Sequence, residues 1–333
     1  MFVALARRPE TMRILSNCRD YAAELLPPEA VRRLSPTLVP ERSLRPLARE
    51  FLGPLDDVCS APLPDGPWRA LLLTASADRS QYDRIIELVR RDFELPDRLV
   101  FLAGSGTGFH GYKGRPWAAD EGNIHLSAHL APGRPIERFE IAFTVLAAVS
   151  VVDAVDAVPG LEGRASIKWV NDVVVDGAKV AGVLAYTSAL QTTVSSAVLG
   201  IGLDVETTPE VERTAFVPRA GSLRELAPQP EKVTQRAVLE SLLAALDRNY
   251  RLLLEEGYGP LVERYRARSA VIGRRVTICA EDSDTDPRVI TEGTVTALGD
   301  GLELVLEGHH APVTRGRLIL GSPGELGLVE TVV

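Results

Sequence analysis

The chain has 333 residues, 45% of them hydrophobic and 25% charged, with a formal net charge of −8. That length suffices for two or three domains with a sizeable core, and the acidic balance argues against nucleic-acid binding through a broad basic surface. Cys18, Cys59 and Cys279 stand far apart without metal-ligand spacing, as expected of free thiols in a reducing compartment. The densest apolar run, IAFTVLAAVSVV at 141–152, is too short to span a bilayer. The opening MFVALARRPETMRIL lacks the apolar centre of a signal peptide, so the expected location is the cytoplasm, with no membrane partner.

The first stretch, to about residue 64, is rich in Arg and Pro. ETMRILSNCRDYAAELL (10–26) and ERSLRPLAREFL (41–52) each read as an amphipathic helix, and PLPDGP (62–67) as a turn cluster and boundary. Glu and Asp are interspersed among the arginines. Residues 1–65 therefore read as a helical accessory segment and not as a DNA-reading winged helix.

WRALLLTAS (68–76) is a strand, SQYDRIIELVRRDFEL (80–95) has apolar residues at helical spacing, and RLVFLAG (98–104) is a second strand. A glycine-rich loop, GTGFHGYKGRPW (106–117), follows. NIHLSAHL (123–130) alternates and reads as a half-buried strand, and PIERFEIAFTVLAAVSVVDAV (135–155) as a buried helix. SIKWV, DVVVD, KVAGVLAYTS and TTVSSAVLGIGLDV, between 166 and 205, read as strands, with Asp176-Gly177 a hairpin signal. TQRAVLESLLAALDRNYRLLLEE (234–256) is a long amphipathic helix. From about residue 272, short strands with Gly and Asp turns read as a small β-barrel.

Three stretches can carry chemistry. The glycine loop is either an ordinary surface loop or one whose backbone N–H groups wrap an anion. KWVNDVVVDGAKVAG (168–182) puts two lysines eleven residues apart on one hairpin. Strand alternation points Lys168, Val170 and Asp172 to one face, and the register across the turn decides whether Lys179 joins them. A lysine held there can neutralise a carboxylate or an α-phosphate, or both lysines are solvated strand residues. GIGLDV (200–205) marks close backbone approach to a ligand, or a bulge. His125 and His129 share a strand face but lack a third metal ligand.

Together these stretches resemble the core of biotin protein ligases. KWVNDVVVDGAKVAGVL followed by GIGLDV matches that family's K-W-P-N-D hairpin with G-x-K-x-A-G. The loop matches Q-T-A-G-R-G-R-x-G-R-x-W in register, and EGNIHLS (121–127) matches G-x-N-L-Y-x-S. AGSLREL (220–226) and the C-terminal strands follow in the family's order, so the resemblance covers roughly residues 66–320. It departs at Ser80-Gln81-Tyr82, where the family has Ser-Thr-Asn. It departs also at Gly106 for the glutamine, at His110-Gly111-Tyr112 for Arg-Gly-Arg, and at Asp204 for an asparagine.

What the resemblance implies is an α+β fold. A mixed β-sheet with packed helices, class II synthetase-like, occupies 66–270, and a small SH3-like β-barrel occupies 271–333. It implies ATP-dependent formation of an acyl-adenylate, biotinyl-5′-AMP, with Mg²⁺ accompanying ATP though no metal ligands are indicated. Transfer then goes to a lysine of a biotin carboxyl carrier protein or another biotin-accepting domain. Lys179 is the implied catalytic residue. Substrate and ATP contacts fall on Ser80, Gln81, Tyr82, Gly106, His110, Gly111, Tyr112, Gly114, Arg115, Trp117, Asn123, Lys168, Asn171 and Asp204. The rewritten loop also opens a lipoate or octanoate ligase and a non-catalytic cofactor-binding relative as alternatives. Missing guanidinium groups imply a weaker hold on the adenylate.

Overall fold

The computed structural model describes residues 13–26, 30–33, 44–54, 58–62, 66–281 and 287–321. Residues 10–12 of the first expected helix, 41–43 of the second and 63–65 of the turn cluster lie outside the described residues. The chain divides into two compact units, Met1–Pro135 with Tyr186–Gly200, and Ile136–Ala185 with Ile201–Val333.

The first unit holds β1 (Arg13–Ser16), α1 (Arg19–Leu25), β2 (Arg32–Arg33), α2 (Leu44–Leu52) and β3 (Cys59–Pro62). It continues with β4 (Ala70–Ala77), α3 (Gln81–Arg90), β5 (Leu99–Gly106), β6 (Ile124–Leu130) and β7 (Arg134–Pro135). Strand order is β2-β3-β1-β4-β5-β6. β1, β4 and β5 run parallel, and α3 makes the crossover that a parallel β4–β5 pair requires. β4 and β5 read as near-continuous apolar runs because both their faces are covered. On one face Leu72, Phe101, Ile85 and Ile86 share a core with Leu47 and Phe51 of α2.

Two expectations need correction. Residues 13–16 are a strand, and the helix begins only at Arg19. Ile14 and Leu15 are adjacent and both buried. In a strand these neighbours point to opposite faces of the sheet, and both faces are covered at β1, whereas one stripe of a surface helix cannot hide two neighbours so completely. β6 is buried along all seven residues and not on one face only. Its polar positions survive burial by hydrogen bonding: His129 meets the Pro96 carbonyl and the Ser196 hydroxyl, each at 2.9 Å.

The second unit contains α4 (Phe139–Asp156), β8 (Ala165–Lys168), β9 (Asp172–Val175) and the start of β10 (Ala178–Leu190). β11 (Thr193–Leu203) begins beside β6 in the first unit and ends in the second. α5 (Leu223–Leu226), α6 (Gln235–Glu255) and α7 (Gly259–Ala267) follow, then β12 (Arg275–Cys279), β13 (Val289–Leu298), β14 (Leu304–Leu306) and β15 (Arg317–Leu320). β8-β9-β10 is an antiparallel meander. Asp176 and Gly177 both take positive φ at the β9–β10 turn, +48° and +81°, as a two-residue hairpin of primed type demands.

α4 is buried around most of its circumference and packs on β8, β9, α6 and α7. Its Ser150 and Asp153 accept from Asn249 of α6, and Asp153 also from Arg264 of α7, so the polar atoms between the helices are satisfied. Thr234 caps α6 by accepting from the Ala237 N–H. The last four strands form an antiparallel sheet in the order β14-β13-β12-β15, compatible with the expected SH3-like barrel. Among the described residues no helix is long and apolar enough to cross a membrane.

Candidate functional site

In the second unit, Lys168 ends β8 directly opposite Asp172, which opens β9. Asn171 closes the bend between them. Its side chain donates to the Val183 carbonyl at 2.7 Å, and its own carbonyl accepts from the Val183 N–H at 2.9 Å. Lys179 stands opposite Val174, two residues from Asp172 and hence on the same face. Its Nζ lies 2.7 Å from Asp172 Oδ1. The register across the Asp-Gly turn thus brings Lys179 to the face of Lys168 and Asp172, the point that strand spacing alone left open.

The main chain at Lys179 is held from one side by residues 219–221. Its N–H donates to the Arg219 carbonyl at 2.9 Å and its carbonyl accepts from Gly221 at 3.0 Å. Asp204, buried at the end of GIGLD, bridges Val180 and Leu223 through its backbone. Lys168 is only 7% exposed, and its ammonium donates to the Phe216 carbonyl. Burying an ammonium without hydrogen bonds is costly, so that carbonyl is part of what makes the position tenable. The face gathers two ammonium groups and one carboxylate, a donor set suited to negative charge that builds up during a reaction.

In the first unit, the glycine loop leaves the end of β5. A Cβ at Gly106 would lie 2.6 Å from the Ala77 carbonyl oxygen and overlap the Phe109 ring, and one at Gly108 would lie 2.8 Å from that of Asp78. Close approach of the β4 end therefore requires glycine at these two positions. The N–H groups of Gly106, Thr107, Gly111 and Gly114 all donate to carbonyls of the chain itself. In this conformation they fold the loop and are not presented to an anion. Tyr112 is exposed, with Lys113 Nζ and Arg115 Cζ each 5.8 Å from its ring centroid. Trp117 donates its backbone N–H to the Phe109 carbonyl, and Asn123 is fully buried.

His110, which replaces an arginine of the family pattern, is held firmly. Its Nε2 lies 2.7 Å from Asp83 Oδ2 and its Nδ1 3.0 Å from the Gly111 carbonyl. Both partners are acceptors, so the imidazolium satisfies the pair best. The Gly111 carbonyl first, and then Asp83, raise its pKa above the ordinary value of 6.5 against the opposing effect of burial. The stability this latch contributes is complete below the ordinary value and is lost as pH rises through the raised one. Replacing His110 with Gln should cost about 0.5–1 kcal/mol near pH 5.5 and almost nothing by about pH 9. Urea unfolding at several pH values measures this. A cost that grows with pH would contradict the latch. Burial holds His125 and His129 below the ordinary value, but both are present in either protein and cancel in the comparison.

Around the same loop lie two buried acceptors. Ser80 precedes α3, and Gln81, its first residue, is 2% exposed with its Oε1 unpartnered. His125 is 3% exposed; its Nε2 meets the Asp120 carbonyl at 3.0 Å and therefore carries the proton, which leaves Nδ1 a bare acceptor, also unpartnered. The His125 ring meets Phe109 edge to face at 5.6 Å. Phe109 precedes His110, and His110 is bonded to Asp83 of the first turn of α3, so one chain of contacts joins both acceptors. Tyr82 packs instead on the apolar core of α3 and β5, where burial raises its phenol pKa.

From sequence, His125 was considered only for a metal pair, and Asp83 and Phe216 were not singled out. The first carried a signal, since a histidine stands where the family pattern has a tyrosine. Phe216 is a lone aromatic in the charged stretch ETTPEVERTAFVPRAG. Asp83 carried none.

The mixed sheet, its packed helices and the C-terminal sheet make the fold that of a biotin protein ligase. The enzyme of Aquifex aeolicus solved with biotin and ATP aligns at a TM-score of 0.58 and 21% identity, over 75% of this chain and 98% of its own. Residues 91–204 match the model of the biotin/lipoate A/B protein ligase family. The biotin--[acetyl-CoA-carboxylase] ligase of Paracoccus denitrificans is 30% identical over 207 residues, 60% of this chain and 79% of that protein. This chain belongs to the biotin/lipoate A/B protein ligase family. The bifunctional ligase/repressor BirA of Bacillus subtilis is 30% identical over 167 residues, and the match spans half the length of each chain.

Proposed function

We propose that the protein is an ATP-dependent biotin–protein ligase. A biotin carboxylate oxygen attacks the α-phosphorus of ATP, pyrophosphate leaves, and biotinyl-5′-AMP forms. A lysine amine of a biotin carboxyl carrier domain then attacks the acyl carbon and AMP leaves. The observation that carries this reading is the hairpin face on which Lys179 and Lys168 flank Asp172. Activation brings a carboxylate against a phosphate, and fixed ammonium groups lower the cost of that approach. Lys179 is the catalytic residue, Asp172 orients its Nζ, and Lys168 and Arg115 are further cationic donors. Asn171 and Asp204 shape the strand ends behind them.

ATP suits this donor set. Mg²⁺ would accompany ATP, held chiefly by phosphate oxygens and water. That ion would neutralise phosphate charge when bound. Residues 66–270 carry the ligase chemistry in this reading, 271–333 form the small C-terminal module, and 1–65 are an accessory segment. The repressor half of the Bacillus protein's name is not carried over, because acidic side chains are interspersed with the arginines of that segment.

A ligase for lipoate or octanoate is the second reading, and the two unpartnered acceptors favour biotin over it. Biotin's ureido ring offers two N–H donors, whereas neither lipoate nor octanoate has a donor at its far end. An acid without donors would leave Gln81 Oε1 and His125 Nδ1 buried and unpaired, at about 1–3 kcal/mol each. In ATP–pyrophosphate exchange, biotin should be the active acid. Gln81→Leu and His125→Phe should each lower its kcat/KM by about 10–100-fold. Faster exchange with lipoate or octanoate would favour the second reading. No exchange with any of the three acids would leave a non-catalytic relative.

A further inference from the structure

We propose that the C-terminal four-stranded sheet positions Lys168, through the Phe216 carbonyl on one side and the Trp169 indole on the other. Lys168 donates to the Phe216 carbonyl from across the fold. Residues 206–219 form no helix or extended strand, so a carbonyl there needs other contacts to stay in place. Two features supply it. The Thr214–Val217 turn is closed by the Thr214 N–H on the Val217 carbonyl at 3.1 Å and by the Val217 N–H on Thr214 Oγ1 at 3.0 Å. The Phe216 ring is 4% exposed, packed on Cys279 of β12 and Ile319 of β15. The Arg317 guanidinium lies 3.5 Å from its centroid, a cation–π contact that adds to the apolar burial.

The neighbouring residue is tied to the other end of the same sheet. Trp169 Nε1 donates to the Leu302 carbonyl, at 2.7 Å, in the turn between β13 and β14. Tyr258 and Arg266 hold that turn in place, donating to the backbone and side chain of Asp300 at 2.8 and 2.7 Å. Lys168 and Trp169 are thus fastened to both edges of a sheet more than a hundred residues downstream. The place of Lys168 in adenylate chemistry rests on the function proposed above. The fastening does not.

The chain has only four lysines, Lys113, Lys168, Lys179 and Lys232, so each amine can be followed separately. The test is competitive acetylation with labelled acetic anhydride, read residue by residue by mass spectrometry. Phe216→Ala should raise Lys168 labelling about tenfold, and Trp169→Phe, which removes one hydrogen bond, about twofold to tenfold. Arg317→Met keeps the sheet packed should Phe216→Ala fail to fold, and should raise it about threefold. Lys179 and Lys232 should stay as they are. Unchanged Lys168 labelling in the variants that fold, or a parallel rise at all four lysines, would overturn the proposal, the second because it reports general loosening. Acetylation needs no turnover. A wild-type protein with no pyrophosphate exchange but with this Lys168-specific response would reject the ligase reading and uphold the fastening.

Discussion

Replacing Lys179 with Ala should reduce biotin-dependent pyrophosphate exchange by about 10²–10³, the usual effect of losing one group that acts on developing charge. The side chain is about a quarter exposed and pairs with Asp172 at 2.7 Å. Its loss removes little packing, and the partly solvated ion pair with Asp172 is worth about 1 kcal/mol or less. Catalysis should therefore collapse while the unfolding transition hardly moves. That separation distinguishes a chemical role from a structural one. Steady-state exchange at saturating ATP, measured beside urea unfolding of the same preparation, gives both quantities. Exchange at the wild-type rate in Lys179→Ala would transfer the role to Lys168. A large loss of stability would mean that the pair is structural.

Phe101→Ala should destabilise the protein by about 3–5 kcal/mol, as expected for truncating a fully buried aromatic ring. Phe101 lies in β5 with its ring centroid 4.3 Å from that of Phe51 in α2, and Arg84 of α3 lies 4.7 Å above the Phe51 ring. The cavity would open where α2 meets the sheet, so the loss also measures how firmly α2 belongs to the core. Denaturant unfolding followed by tryptophan fluorescence gives the number. A cost below about 1 kcal/mol would show that α2 moves in to fill the space.

Much of the fold was legible without coordinates because its signals are local. The apolar runs at 99–104 and 141–152, the helical spacing through 235–255 and the Asp-Gly turn each act within a few residues, where periodicity and turn stereochemistry decide the outcome. The same holds for the motifs of the hairpin and the loop, whose order along the chain carried the family resemblance. The strand at Arg13–Ser16 escaped this reading. Four residues contain too little pattern, and its two partners, β3 and β4, come from residues 59–62 and 70–77.

The glycine loop shows the division most clearly. Its composition marked it as a special backbone, yet the reason for Gly106 and Gly108 is the end of β4, some thirty residues earlier, pressing against them. His110, in place of an arginine, was expected to give a weaker hold on the adenylate. Asp83, twenty-seven positions away, supplies the acceptor that favours its charged form. Likewise Lys168 and Lys179 were evident as a pair, but the register that joins them through Asp172, and the Phe216 carbonyl forty-eight residues away, are tertiary facts. Sequence alone determined the longer elements, the Asp-Gly turn and the identity of the charged groups, because those follow from chemistry between near neighbours. Which acceptor meets which donor was decided only by the folded chain, because a hydrogen bond requires its two atoms within about 3 Å, and only packing brings distant residues that close.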